Sequence, residues 1–278
     1  MTSIKKMQLW ARKARRQGET IGFVPTMGCL HDGHLSLMRA ARRENDYLVV
    51  SVFVNPLQFG PSEDFKKYPR DFNRDKKLLC KAKADIVFLP QAKAMYPHKA
   101  KSLVNVEGLS EVLCGVTRPG HFRGVATVVL KLFNIVEPRR AYFGQKDAQQ
   151  ALIIRQMVKD LNLPLEIKVL PIVRESDGLA MSSRNRYLST GERAEAIILY
   201  KSLQSAVGMI ESGNKSPREI AQTINKMIKS QRSARIEYVK IVDAQTLEKV
   251  TVIKGKVLIA LAVFIGATRL IDNVTVRA

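Results

Sequence analysis

The stretch Val24-Pro25-Thr26-Met27-Gly28-Cys29-Leu30-His31-Asp32-Gly33-His34 most restricts what this chain can become. Before it lies an apolar run, Ile21-Gly22-Phe23-Val24, which reads as a buried strand. After it, Leu35, Met38 and Ala41 recur at helical spacing. The order is strand, glycine-bearing turn, helix start. In an open α/β sheet, ligands sit at the carboxyl ends of strands. A helix N-terminus there offers unpaired N–H groups to a phosphate. Four histidines occur in the whole chain, and two of them stand in this stretch. Their spacing puts both on one face of a first helical turn. Each can donate to a phosphate oxygen and can carry charge near neutral pH. Gly33 between them admits a ligand close to the backbone. A metal pair and plain helix capping are the alternatives, although no Cys or carboxylate cluster completes a metal set.

The pattern continues along the chain. A basic first helix over residues 5–16 has Ile4, Met7, Ala11 and Ala14 on a packing face; a transit peptide is the other reading of its charge. Strands are expected at 47–54, 86–89, 141–143 and 165–170. Helices are expected at 74–84, 125–136 and 148–161. Residues 58–73 and 91–121 read as loops, and long irregular segments inside a compact domain tend to be functional. Strand and helix alternate, so the class is α/β with a parallel sheet and helical crossovers. Beyond about Glu175 the order changes. Helices at 190–212 and 216–230 precede strands at 236–242, 256–264 and 270–276, an α+β pattern that predicts a second domain.

At 278 residues the chain can bury a sizeable core in more than one domain. No apolar stretch is long and charge-free enough to span a bilayer. The three cysteines, Cys29, Cys80 and Cys114, are odd in number and scattered. That argues against a disulfide framework or a zinc site, and points to a reducing cytosol. The net charge of +21 is spread along the chain, without a basic tail. A solvated basic surface accounts for it. A nucleic-acid binder would also be basic, but no aromatic-rich, basic-interleaved strand accompanies the charge.

Four more constellations fall in the expected loops. Gly144-Gln145-Lys146-Asp147 leads from a strand into a helix: Lys146 suits phosphate, and Asp147 suits either a helix cap or a ribose hydroxyl. Met181-Ser182-Ser183-Arg184-Asn185 places two hydroxyls beside a guanidinium, a polyphosphate clamp or a polar loop. Arg118-Pro119-Gly120-His121-Phe122-Arg123-Gly124 gathers cationic donors between glycines. Asn55-Pro56-Leu57-Gln58-Phe59 sets neutral amides at a strand end.

His31-Asp32-Gly33-His34 resembles the HIGH signature of the nucleotidylyltransferase superfamily, to which class I aminoacyl-tRNA synthetases belong. Over nearly its full length the chain resembles the pantothenate synthetase (pantoate–β-alanine ligase) family. The matching segments are Pro25–His34, Phe53–Phe59, His121–Val125, Phe143–Gln150 and Leu179–Asn185. The resemblance implies a Rossmann-like catalytic domain over residues 1–174 and a smaller C-terminal lid over 175–278, with 175–178 in the hinge. It implies ATP-dependent joining of pantoate and β-alanine through a pantoyl adenylate, releasing AMP and pyrophosphate. His31, His34, Lys146 and Arg184 would be catalytic, with His34 the proton donor. Met27, Gly28, Gly144, Gln145, Asp147, Val173, Met181, Ser182 and Ser183 would complete the ATP site. Gln58, Gln150, Asn55, His121 and Arg118 would bind pantoate and β-alanine. Mg²⁺ would bridge phosphate oxygens, with Asp75 as a ligand or a group behind one. A cytoplasmic homodimer without nucleic-acid or membrane partners is expected. Cys29 stands where the family usually has Ala. An adenylyltransferase that leaves AMP on a phosphorylated acceptor is the rival within the superfamily; it would need neither Gln58 nor Gln150.

Overall fold

The apolar run at residue 21 becomes β1 (Ile21–Thr26), the middle strand of a five-stranded sheet. The computed structural model describes residues 1–61, 63–98 and 100–277. It divides into two units, each with its own sheet. The first contains Met1–Glu111, Gly115–Gln145 and Gln149–Pro171. The second contains Val112–Cys114, Lys146–Ala148 and the chain from Ile172 onward.

In the first unit, α1 (Ile4–Arg16) precedes β1, and α2 (Asp32–Glu44) leads to β2 (Tyr47–Val52). Then come α3 (Phe72–Lys81), β3 (Ile86–Phe88) and the short helices α4 (Ala92–Met95) and α5 (Cys114–Thr117). The long α6 (His121–Val136), β4 (Arg140–Gly144), α7 (Ala148–Asp160) and β5 (Glu166–Leu170) follow. The strand order is β3-β2-β1-β4-β5, and every neighbouring pair is parallel. From β1 the chain works outward to β3, then returns to the opposite side for β4. That reversal makes β1 and β4 the switch point, where the loops at the strand ends part and leave room for a ligand.

Strand alternation sends successive residues to opposite faces. Val24 joins Leu35, Met38 and Ala41 of α2 and Leu48 and Val50 of β2 in one apolar cluster. Phe23 meets Phe133 of α6 edge-on, with ring centroids 6.4 Å apart. Met7, Ala11 and Ala14 of α1 are buried as their spacing predicts, and Ile4 is half-buried. Full burial of each large side chain stabilises the sheet by about 2 kcal/mol.

Gly22 is required by a close approach. A Cβ there would lie 2.6 Å from Nδ2 of Asn45. That amide donates to the Ala41 carbonyl and to the Tyr142 hydroxyl, each at 2.8 Å. Burial pushes the Tyr142 hydroxyl up to about 12, so it stays a neutral hydrogen-bonding group.

Three of the expected helices differ from the structure for identifiable reasons. α3 starts at Phe72 because Asp71 accepts from the Arg74 N–H as its cap; it ends at Lys81 because Lys83 is left-handed at φ 55°. α6 starts at His121, a turn before the apolar spacing begins, since Gly120 at φ 79° swings the chain into the helix. The helix expected over 190–212 is two, α8 (Thr190–Ala196) and α9 (Ile198–Glu211), separated at Ile197.

The second unit continues with α10 (Pro217–Lys229), β6 (Ala234–Asp243), β7 (Lys256–Ile265) and β8 (Thr268–Arg277). The strands form an antiparallel sheet in the order β6-β7-β8. Val257, Ile259, Leu261, Val263 and Ile265 alternate along β7 and share one core with Leu199, Leu203 and Ala206 of α9 and Ile220, Ile224 and Ile228 of α10.

Gly22→Ala is expected to lower the urea midpoint, at a cost of about 1–3 kcal/mol from forced repacking around Asn45. An unchanged midpoint would show that Asn45 yields freely and that the close contact is not needed.

Candidate active site

After β1 the backbone turns through two left-handed residues, Gly28 at φ 83° and Cys29 at φ 51°. Such a turn aims successive N–H groups at one point, a geometry that holds anions. Here the anion is internal. The Cys29 and Leu30 N–H groups donate to Oδ2 and Oδ1 of Asp75 at 2.9 and 2.8 Å. Asp75 sits on the first turn of α3 and is 2% exposed. The sequence offers it as a metal ligand, yet both its oxygens are engaged by backbone. Among the described residues no group of three His, Cys, Asp or Glu side chains could hold a metal ion. The donor set therefore does not fit a protein-built Mg²⁺ site.

The loop delivers His31 as the N-cap of α2 and His34 as its third residue. The His31 Nδ1 accepts from the Gly33 N–H at 3.2 Å, and the His34 Nδ1 accepts from the His31 N–H at 3.3 Å. Capping, one alternative in the sequence, is thus real, and it fixes the chemistry. A ring nitrogen that accepts carries no proton, so both imidazoles are neutral with the proton on Nε2. The rings lie 4.1 Å apart. Gly33 also answers a steric need inside the loop: a Cβ there would lie 2.9 Å from Nδ1 and Cε1 of His31. It makes room for the capping ring.

After β2 a 3₁₀ turn, Pro56–Gln58, carries the amides. Asn55 is 1% exposed. Its Nδ2 donates to Oε1 of Gln58 and to the Gly124 carbonyl, both at 3.1 Å. Its Oδ1 accepts from the Tyr96 hydroxyl at 2.9 Å and the Leu57 N–H at 3.3 Å. Two donors and two acceptor directions are the whole capacity of a primary amide. Asn55 therefore supports Gln58 from within the protein. Gln58, with Oε1 so held, turns its Nε2 toward the Met27 sulfur at 3.1 Å. Gly124 lets α6 press on this turn, since a Cβ there would lie 2.2 Å from the Leu57 carbonyl oxygen.

The 118–124 loop packs beside the same turn. Arg118 grips Glu63 through Nε and Nη2 at 2.7 and 2.6 Å. Its Nη1 lies 3.0 Å from Nε2 of His121, whose Nδ1 lies 2.7 Å from the Gln58 carbonyl oxygen. These residues line a cavity of about 390 Å³. A cavity of about 460 Å³ at the amino ends of the strands, beside Arg15, Glu137 and Arg139, holds none of the motif residues. Beyond β4, Gln149 is buried and donates to the Leu109 carbonyl at 2.8 Å, while Gln150 is half-buried.

The remaining expected nucleotide residues belong to the second unit, apart from Gly144 and Gln145. The Lys146 ammonium is 3.7 Å from the Asp147 carboxylate, and the Lys146 carbonyl accepts from Nδ2 of Asn273 at 3.0 Å. The Met181 N–H donates to the Val173 carbonyl at 3.0 Å. Ser182 caps a 3₁₀ turn, Ser183–Tyr187, by accepting from the Arg184 N–H. The segment offered as a hinge is cross-linked within this unit. Arg193 of α8 reaches Glu175 at 2.5 Å and Asp177 at 2.7 Å. Asn185 donates to Glu175 at 2.8 Å and to the Ala180 carbonyl at 3.1 Å. The Arg193 hydrogen bond holds the Asp177 carboxyl below the usual carboxylate range. Sequence reading missed Asp75 as a loop anchor, Asn55 as a support, and Glu63 and Arg193 altogether. Glu63 and Arg193 each pair with opposite charge elsewhere in the chain, whereas Asp75 and Asn55 are engaged by uncharged groups that leave no signal in the sequence.

The sequence model of the family described as pantoate–β-alanine ligase matches residues 1–275. The chain belongs to this family. Among relatives of the ligase family it is 58% identical to a pantothenate synthetase of Acetivibrio thermocellus over 275 residues, 99% of this chain and 98% of the relative. It is 55% identical over the same length and coverage to one from Caldicellulosiruptor bescii. The solved pantothenate synthetase of Thermus thermophilus superposes with a TM-score of 0.93 at 44% identity, covering 99% of this chain and 98% of that one. A ligase of Francisella tularensis, described as complexed with Beta-gamma ATP and β-alanine, gives 0.82 at 35% identity, covering 99% and 96%. Across this likeness the parallel sheet and the separate antiparallel sheet follow the ligase fold.

Asp75→Asn is expected to destabilise the protein by about 1–3 kcal/mol, because one buried backbone N–H loses its acceptor. Activity should fall with no recovery at raised Mg²⁺. Recovery by added Mg²⁺ would restore Asp75 to the role of metal ligand.

Proposed function

We propose that this chain joins pantoate to β-alanine with consumption of ATP in two steps. A pantoate carboxylate oxygen bonds to the α-phosphorus of ATP, and the bond to the pyrophosphate oxygen breaks. The β-alanine amine then attacks the carbonyl of the pantoyl adenylate, AMP leaves, and the amine proton passes to solvent or base. The observation that carries this reading is the pair of neutral histidines at the switch point together with the anchored Gln58 amide. The ligands named for the Francisella tularensis relative support the substrate classes.

In this reading His31 and His34 donate from Nε2 to phosphate oxygens. Those bonds strengthen as charge moves onto the leaving pyrophosphate, which is electrostatic catalysis. Lys146, Ser182, Ser183 and Arg184 neutralise and hold the polyphosphate, with Met27, Gly28, Gly144, Gln145, Asp147, Val173 and Met181 around the rest of the nucleotide. Mg²⁺, for which the described residues form no site, would come with ATP and would supply charge neutralisation to the polyphosphate. Gln58 and Gln150 read the pantoate hydroxyls and carboxylate, and Arg118 and His121 face the amine substrate. The acyl adenylate must be kept from water, the task assigned here to the region beyond residue 174 acting as a lid.

No helix among the described residues is long and apolar enough to cross a membrane. We assign the chain to the cytoplasm as a homodimer, on the family resemblance and on its free cysteines.

Release of AMP and pyrophosphate is measured with pantoate and β-alanine each omitted in turn. AMP should form only with both present, and pyrophosphate without β-alanine should stop near one turnover. His34→Ala should fold normally and lose about 10²–10³-fold in rate, the usual cost of one such donor. Absence of pantoate-dependent release from folded protein would overturn the substrate assignment.

A further inference from the structure

Arg118 faces the amine substrate in the scheme above, but its partner Glu63 has no place in it. Glu63 lies in the loop after the Gln58 turn, and its carboxylate takes two of the five N–H donors of Arg118. The pair is well shielded, with side-chain exposures of 15% for Arg118 and 21% for Glu63. A bidentate guanidinium–carboxylate contact fixes orientation as well as charge.

The consequence passes to His121. A guanidinium can only donate, so the His121 Nε2 at 3.0 Å from Nη1 must accept. The ring is then neutral with its proton on Nδ1, and that N–H donates to the Gln58 carbonyl at 2.7 Å. This tautomer is the opposite of that in His31 and His34. Glu63 thus orients Arg118 and Arg118 sets the tautomer of His121, while the Gln58 amide keeps its own support from Asn55 and Gly124. The same cavity is lined by Arg123, which has no ion partner among the described residues. With Glu63 in place the cavity offers both signs of charge. Without it, two guanidiniums stand uncompensated.

We propose that Glu63 is a positioning residue for the amine substrate: by balancing and orienting Arg118 it makes the cavity complementary to a small zwitterionic amino acid and not to an anion. The inference rests on the ligase reading and adds to it a specificity determinant. The ammonium is drawn toward the Glu63 side and the carboxylate toward the guanidinium side. The first step, which needs no amine, is independent of Glu63.

The test compares wild type with Glu63→Ala and Glu63→Gln, using the intact chain. Pantoate-dependent exchange of labelled pyrophosphate into ATP reports the first step, and steady-state KM values are taken for all three substrates. In Glu63→Ala the KM for β-alanine should rise roughly tenfold, the worth of one charge-assisted hydrogen bond. Exchange and the KM values for ATP and pantoate should stay within about twofold. Glu63→Gln, which keeps an acceptor without the charge, should fall between, and it carries the test alone if the alanine variant does not fold. In an Arg118→Ala background, Glu63→Ala should change little further. An unchanged β-alanine KM, or equal losses in all three KM values and in exchange, would overturn the proposal. If wild type shows no pantoate-dependent exchange, the ligase reading itself fails, which is a different result.

Discussion

One buried carboxylate holds the catalytic edge together. Asp75 receives the N–H groups of Cys29 and Leu30 from a turn that two left-handed residues create. A left-handed conformation at a non-glycine residue is unfavourable by itself, so the turn persists because something outside it rewards it. Its direction then fixes where α2 begins, and the start of α2 fixes both histidines. The contact also joins two distant pieces of chain, β1's exit and α3's first turn, which ties the sheet's order to the site. Removing it would leave buried donors unpaired and the histidines without a common frame.

A second frame stands beside the first. Asn55 uses every valence of its amide inside the protein, and Gly124 lets α6 touch the Leu57 carbonyl. Both serve to present Gln58. The two frames meet where the Gln58 amide points at the Met27 sulfur. In the proposed function, selectivity for a neutral hydroxyl and catalysis at a phosphate thus draw on one continuous set of contacts after β1 and β2. In the second unit the Ser182–Arg184 loop is organised on the same plan, with Arg193 gripping Glu175 and Asp177, and Glu175 gripping Asn185.

Much of this was legible in the residues. Alternating apolar runs and helical spacing gave the parallel sheet, and the glycines and prolines at strand ends gave the loops. What escaped was of two kinds. Helix starts set by tertiary contact, as at His121, carry no apolar period: Gly120 and Gly124 look like breakers until the turn they pack against is known. Roles set by long-range partners were also hidden. Asp75 has the composition of a metal ligand, and only the N–H groups of residues 29 and 30, far away in the chain, show what it binds. Asn55 reads as a substrate-binding amide, and only its partners in the fold show that it also holds Gln58. An amide's role depends on which of its valences the protein has already used, and sequence does not state that.

The state of the two histidines decides how they work. For either ring to act as an imidazolium, its Nδ1 would have to gain a proton while facing the backbone N–H that now donates to it. That exchange would break the capping box and set two donors against each other. The arrangement therefore favours neutral rings throughout, with Nε2–H as the working group. A fixed neutral donor gives little to a dispersed ground-state charge and more to the concentrated charge of a departing pyrophosphate. It needs no rearrangement when that charge arrives. In the proposed function the histidines stabilise charge as it develops, and their capping bonds, which look merely structural, keep the donating proton on the nitrogen where that role needs it.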